Sequence, residues 1–210
     1  MLKKPLYVHL LLDRSGSMEA NRDLTIDAFN EYVNGLRLSE EVAPRLSLTL
    51  FDSEGIDLVH DSLPVADFPK LTRETFVPRA STPLLDAIGR TIGHIDAVKL
   101  RGAEKVAFAI VTDGQENASR EFTVDAVRKA LKRRQDENDW QVLFLGAGID
   151  AIKEADKIGV AKMFAMSYSQ GKSKETFAAA RKSQMRHAHR ASASAPKEGF
   201  SDKDREDVQS

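Results

Sequence analysis

The 210-residue sequence has no cysteine. That excludes disulfides, thiolate metal sites and cysteine nucleophiles, and it suits a reducing compartment. It also has almost no net charge. Thirty-one basic against 32 acidic residues leave −1, so no overall field draws the chain to nucleic acid or to a membrane surface. No stretch approaches the roughly 18 apolar residues of a membrane-crossing helix. Lys3 and Lys4 ahead of an apolar run resemble a signal peptide, but the run holds His9, ends in Asp13 and offers no small-residue cleavage site. Internal repeats are absent. The expectation is a cytoplasmic protein that does not enter a membrane.

What is present is enough apolar material, 41% of residues, for one sizeable core and an appendage. Residues 6–12, apolar on both faces, read as an interior parallel strand. Leu24, Ala28, Tyr32, Val33 and Leu36 then recur at helical spacing. Residues 45–51 and 55–60 read as two strands joined by a short hairpin-like link, hence antiparallel at a sheet edge. Residues 64–77 read as an irregular connection. Pro83 suits the first position of a helix carrying Leu84, Leu85, Ile88, Ile92 and Ile95, with Thr82 as its cap. Gly89 and Gly93 suggest that this helix lies close to the sheet. Strands follow at 105–112, 141–145 and 163–166, with a Thr123-capped helix and a short helix between them.

The last helix, from about 174 to 189, has only a weak apolar stripe and is expected to dock loosely. Residues 192–210 are Ser/Ala-rich, then charged, and are expected to be disordered. The reading is therefore one domain over residues 1–191 and a tail over 192–210. Its fold class is α/β: a doubly wound, mainly parallel six-stranded sheet with helices on both faces and one antiparallel edge strand.

The chemistry gathers where strands end. After the first strand come Asp13, Ser15 and Ser17, three oxygen side chains at alternate positions, with Gly16 allowing a tight loop. Such a loop could help hold a hard cation, although a Ser/Gly turn with a helix cap explains the hexapeptide equally well. Asp113 ends the fourth strand in the same way, followed by Gly114. If both aspartates serve one ion, strands one and four are neighbours and the strand order reverses between them. Open α/β sheets bind ligands at such a switch point, beyond the carboxyl ends of the strands. Ser15, Ser17 and Thr82 can reach it from their loops.

Asp13-x-Ser15-x-Ser17, Ala80-Ser81-Thr82-Pro83-Leu84 and Val111-Thr112-Asp113-Gly114, in that order, resemble the three metal-site motifs of the von Willebrand factor type A (VWA) domain, in its stand-alone bacterial form. The resemblance spans roughly residues 5–190. It implies a metal-ion-dependent adhesion site (MIDAS) in which Ser15, Ser17 and Thr82 ligate Mg²⁺ through hydroxyls, while Asp13 and Asp113 hold it directly or through water. Mn²⁺ and Ca²⁺ are alternative ions. Neutral hydroxyls cancel little of the ion's charge, which leaves it open to an Asp or Glu of a protein partner. Arg14 and Arg79, if on the rim, would favour an acidic partner. Stand-alone bacterial members include some that assist AAA-type ATPases or stress-resistance systems.

Rival chemistries fit less well. A haloacid-dehalogenase-type phosphotransferase needs a second Asp where Ser15 stands, and no Ser/His/Asp set or acid–base carboxylate pair stands near the site. Enzyme activity is not expected. Gly146-x-Gly148-x-x-Ala151 matches a dinucleotide fingerprint but lacks its later acidic residue, and reads as a tight turn. The alternative function is nucleic-acid association through the basic last helix, with Lys172, Lys174, Arg181, Lys182, Arg186 and Arg190. That helix lacks interleaved aromatics, which makes it the weaker reading.

Overall fold

A computed structural model describes residues 3–98, 100 and 104–209. Six strands, β1 (Lys4–Asp13), β2 (Val42–Asp52), β3 (Gly55–Pro64), β4 (Lys105–Thr112), β5 (Gln141–Ala147) and β6 (Ala165–Tyr168), form one sheet in the order β3-β2-β1-β4-β5-β6. Every pairing is parallel except that of β3, which returns antiparallel along β2. Asp52 makes that return tight: its Oδ1 accepts the N–H groups of Glu54 and Gly55 at 2.8 and 3.0 Å. Among the described residues the α-helices are α1 (Arg22–Arg37), α2 (Leu84–Ala97), α3 (Val124–Glu137), α4 (Ala151–Lys157), α5 (Ser173–His189) and α6 (Asp202–Gln209). On the two faces of the sheet, α1 packs against α5 and α2 against α3. The architecture is the expected α/β, mainly parallel sheet with one antiparallel edge.

The central position of β1 explains its composition. Residues 6–13 are buried without interruption, which an interior parallel strand tolerates only if it is apolar or internally satisfied. His9 is the second kind. Its Nε2 lies 2.8 Å from Thr49 Oγ1 and its Nδ1 lies 3.2 Å from the Tyr7 hydroxyl. Burial, then the nearby His94, lowers its pKa to about 3, so the ring is neutral.

Three expectations need correction. First, α5 does not dock loosely. Phe177, Ala179, Ala180 and Ala188 are buried together with Ser183 and Gln184. The Tyr32 hydroxyl donates to Gln184 Oε1 at 2.6 Å, and Gln141 Nε2 donates to Ser183 Oγ at 3.1 Å. Small residues and internal hydrogen bonds replace the large apolar stripe that periodicity detects. The basic residues are mostly paired: Lys174 with Glu31, Arg186 with Glu198 and Asp204, Arg190 with Asp139.

Second, residues 192–209 are packed and not disordered. Phe200 and Val208 are buried, and the Phe200 N–H donates to Met163 O at 2.8 Å. Ser201 and Asp204 form a reciprocal cap at the start of α6, each accepting the other's N–H at 3.0–3.1 Å. Third, Gly89 makes room for the Phe122 ring, which lies 2.5 Å from where its Cβ would be, and Gly93 faces open space. Neither brings α2 closer to the sheet. The Gly146–Ala151 segment is a turn as read: Gly148 has φ +67°, and Asp150 caps α4 by accepting the Lys153 N–H.

Candidate functional site

The order reverses between β1 and β4, which lie side by side with Leu12 opposite Val111. Asp13 and Asp113 therefore leave adjacent strands at the same end. Asp13 is fully buried, with Oδ1 accepting the Ser15 N–H at 2.7 Å and Oδ2 accepting the Thr112 hydroxyl at 2.5 Å. Ser17 Oγ donates to Asp113 Oδ1 at 2.5 Å and lies 3.1 Å from Ser15 Oγ. Four of the five expected site residues thus form one connected cluster. The fifth, Thr82, stands beside it: a Cβ on Gly114 would be only 2.9 Å from Thr82 Oγ1. Gly114 keeps that space open.

Backbone hydrogen bonds lock the loops together. Gly16 N–H donates to Ala80 O at 3.1 Å, Arg79 N–H to Arg14 O at 2.9 Å, and Ser53 N–H to Ser81 O at 2.9 Å. Gly16 has ordinary clearance, with Ala80 O 3.4 Å from a Cβ, so its contribution is the N–H rather than conformational freedom. The strained residue is Ala80, at φ +57°.

Thr82 does not cap α2. The helix begins at Leu84 with Pro83 at its cap position and no side-chain cap of its own. Its open N–H groups are served from the loop after β4: Leu85 N–H by Glu116 Oε2 at 2.8 Å and Asp86 N–H by Ser119 Oγ at 3.1 Å. Asp86 reciprocates, accepting the N–H groups of Arg120, Glu121 and Phe122 at 2.8–2.9 Å. Burial works against its charge, but those three donors hold its carboxyl below the usual range. Asn117 clamps Thr82 directly, bonding its N–H and C=O groups. Sequence reading passed over Asp52 and Asp86, whose roles appear only once three distant loops meet. Glu116 and Asn117, in the loop after β4, act as clamps on Thr82 and the start of α2.

Arg14 and Arg79 are not free rim cations. Arg14 Nε donates to Asp52 Oδ2 and its Nη2 to Asp57 Oδ2, both at 2.7 Å, and Arg79 Nε reaches the same Asp52 oxygen at 3.0 Å. A buried carboxylate at the end of β2 draws both guanidinium groups away from the cluster. Burial raises the Asp52 pKa, but Arg79, the Glu54 N–H and Arg14 outweigh it and hold the group ionised.

The cluster's own carboxylates have no such partners. Neither Asp13 nor Asp113 forms an ion pair among the described residues. Burial raises Asp13 to about 6, against hydrogen bonds from Thr112 and Ser15, and raises Asp113 as well. Two anions held above their ordinary range, three hydroxyls around them and a glycine that keeps the space clear fit a hard divalent cation. Among the described residues no group of three or more His, Cys, Asp and Glu could hold a metal.

No protein-family model matches the chain, and no curated protein matches it by sequence. Solved structures do match. The vWF domain of the type V pili tip protein Mfa5 from Porphyromonas gingivalis superposes with TM-score 0.68 at 9% identity, covering 91% of this chain and 99% of that one. The fold is that of a VWA domain. Mussel-byssus proximal thread matrix protein 1, solved with zinc occupying its MIDAS motif, gives 0.59 at 12% identity, covering 84% of this chain. The VWA unit described here spans 47% of that chain. Manganese-loaded TRAP of Plasmodium vivax gives 0.59 at 19% identity, covering 81% of this chain and 71% of that one. Two VWA folds of this kind are thus solved with different divalent ions. Among the described residues no helix is long and apolar enough to cross a membrane.

Proposed function

We propose that this chain is a divalent-cation-dependent protein-binding module that captures a carboxylate of a partner. The observation that supports it most is the pair of aspartates without counter-cations, joined through Ser17, Ser15 and Thr112 at the switch point of a VWA fold. Ser15, Ser17 and Thr82 would hold the ion through hydroxyls, and Asp13 and Asp113 directly or through water. When bound, the ion supplies a coordination position open to an outside oxygen.

The residues of the chain do the rest. Asp13, with both oxygens engaged, orients the Ser15 backbone and is not free to act as a base. Asn117 and Glu116 fix Thr82 and the start of α2. Asp52 keeps Arg14 and Arg79 from neutralising the carboxylates. Binding, not catalysis, is the function these roles support. Mg²⁺ is the proposed ion, since it takes oxygen donors and retains exchangeable water. The proposed partner offers an Asp or Glu, within an ATPase or stress-response complex, and the proposed setting is the cytoplasm.

A pull-down from the native host with Mg²⁺ and with EDTA tests this. Partners are expected only with Mg²⁺, and none with Asp113→Ala. The same partners retained in EDTA would refute the metal bridge, and cell fractionation tests the compartment.

A further inference from the structure

An open groove of about 660 Å³ begins beside the metal-site cluster. It is lined by residues 52–56 of the β2–β3 return, residues 117–121 of the loop after β4, and Ser81, Pro83, Asp86 and Arg90. It therefore reaches from the residue before Thr82 to the second turn of α2.

The hydrogen-bonding capacity left over in this groove is one-sided. Its two buried carboxylates are spent. Asp52 accepts from Glu54, Gly55, Arg14 and Arg79, and Asp86 accepts from Arg120, Glu121 and Phe122. Ser119 Oγ donates to Glu116 and accepts the Asp86 N–H, while Arg90 pairs with Glu121. The exposed Glu54 carboxylate lies 3.4 Å from Arg79.

What remains, among the described residues, is a set of protons to give. Ser53 Oγ accepts the Ser81 N–H, which leaves its own proton, and the Ser81 hydroxyl is unused. Asn117 Oδ1 accepts the Thr82 N–H, which leaves both Nδ2 protons. The Arg120 backbone is held by Asp86, but its guanidinium has no ion pair. All four residues are exposed, so an outside group can reach them.

Their spacing is set by the loop after β4. Asn117 is bonded to Thr82, the proposed metal ligand, and Arg120 to Asp86 one turn into α2. The three residues of chain between Asn117 and Arg120 span at most about 10 Å. An extended partner segment, rising about 3.3 Å per residue, covers that distance in three positions.

We infer that the groove takes an extended segment of the partner with two acidic residues three positions apart, one for the metal ion and one for Arg120. This rests on the carboxylate-capture reading above. Carbonyls between the two acids would accept from Ser53, Ser81 and Asn117. A basic segment would leave those donors unpaired and bring like charge to Arg120.

Calorimetry on the full chain tests this with a blocked peptide, Gly-Asp-Ser-Gly-Asp-Gly, and with forms carrying Asn in place of either or both acids. The Asn117 side-chain amide NMR signals report location. With Mg²⁺ bound, the diacid is expected to bind about tenfold more tightly than either single-acid form and to shift those signals. EDTA should abolish its binding. Arg120 is exposed, so its variants should fold, as melting curves will verify. Arg120→Ala should keep wild-type Mg²⁺ affinity and single-acid binding but lose the tenfold advantage, and Arg120→Lys should retain part of it. Mg²⁺ uptake with equal binding of the diacid and single-acid peptides, or an undiminished advantage in Arg120→Ala, would overturn the groove inference while leaving the metal site standing. Tighter binding when Lys replaces the second acid would overturn the assigned charge. Failure of wild type to take up Mg²⁺ would overturn the metal reading itself, and this inference with it.

Discussion

Arg14 donates its Nε–H to Asp52 Oδ2 at 2.7 Å, 38 residues away and out of the cluster formed by its neighbours Asp13 and Ser15. Asp52 also accepts from Arg79 and turns the β2–β3 return. Replacing it would leave a largely buried guanidinium without one of its carboxylates. Asp52→Ala is expected to cost about 3 kcal/mol or more in urea denaturation and to weaken divalent-ion binding. Unchanged stability and ion affinity would show that the link is incidental.

Asp86 makes a similar link between α2 and the loop after β4, through three backbone N–H groups. Asp86→Ala leaves those donors without their acceptor, at an expected cost of about 2–3 kcal/mol. Hydrogen exchange should show faster opening of residues 116–122 while the β4 amides stay protected. Equal protection of the loop in the variant would argue against this role.

Much of the architecture was legible because its signals are local. The apolar run before Asp13, the Thr123 cap and the hairpin-like link at 52–55 each follow from a few adjacent residues, and the adjacency of β1 and β4 followed from two strand-end aspartates. Contributions that need tertiary packing were not legible. The docking of α5 depends on small residues and on Gln184 meeting Tyr32, which no hydrophobic period reveals. The arginines beside the site could not be placed without knowing where Asp52 lies. The tail was different: its composition reads as disorder, while the spacing of Ser201 and Asp204 that caps α6 is a local signal that composition does not register.

The tail's packing depends on Gly199. A Cβ there would stand 2.1 Å from Met163 O, a backbone atom that cannot easily move away. Gly199→Ala is expected to free residues 192–209, seen as rapid proteolysis before α6, with an intact sheet by circular dichroism. Proteolytic resistance equal to wild type would contradict the packing of this strap.

His9 sets a pH dependence. Its pKa falls from 6.5 unfolded to about 3 folded, so the unfolded chain binds the extra proton between those values. Its contribution to stability is full above pH 6.5 and is lost as pH falls toward 3. Asp13, raised from 3.8 to about 6, acts in the opposite direction between those values. The useful measurement is therefore the difference between wild type and His9→Gln, in which Asp13 cancels. The variant should lose less stability than wild type on going from pH 7 to pH 4, and parallel curves would contradict the assignment of a neutral buried ring.

The central claim is that two carboxylates and three hydroxyls at the β1–β4 switch point together hold a divalent ion. Calorimetric titration of Mg²⁺ into wild type, Ser17→Ala and Asp113→Ala tests it most directly. One ion per chain is expected for wild type, with weaker binding in Ser17→Ala and none in Asp113→Ala, all three having the same circular dichroism. Failure of wild type to bind at millimolar Mg²⁺, or undiminished binding by Asp113→Ala, would contradict it.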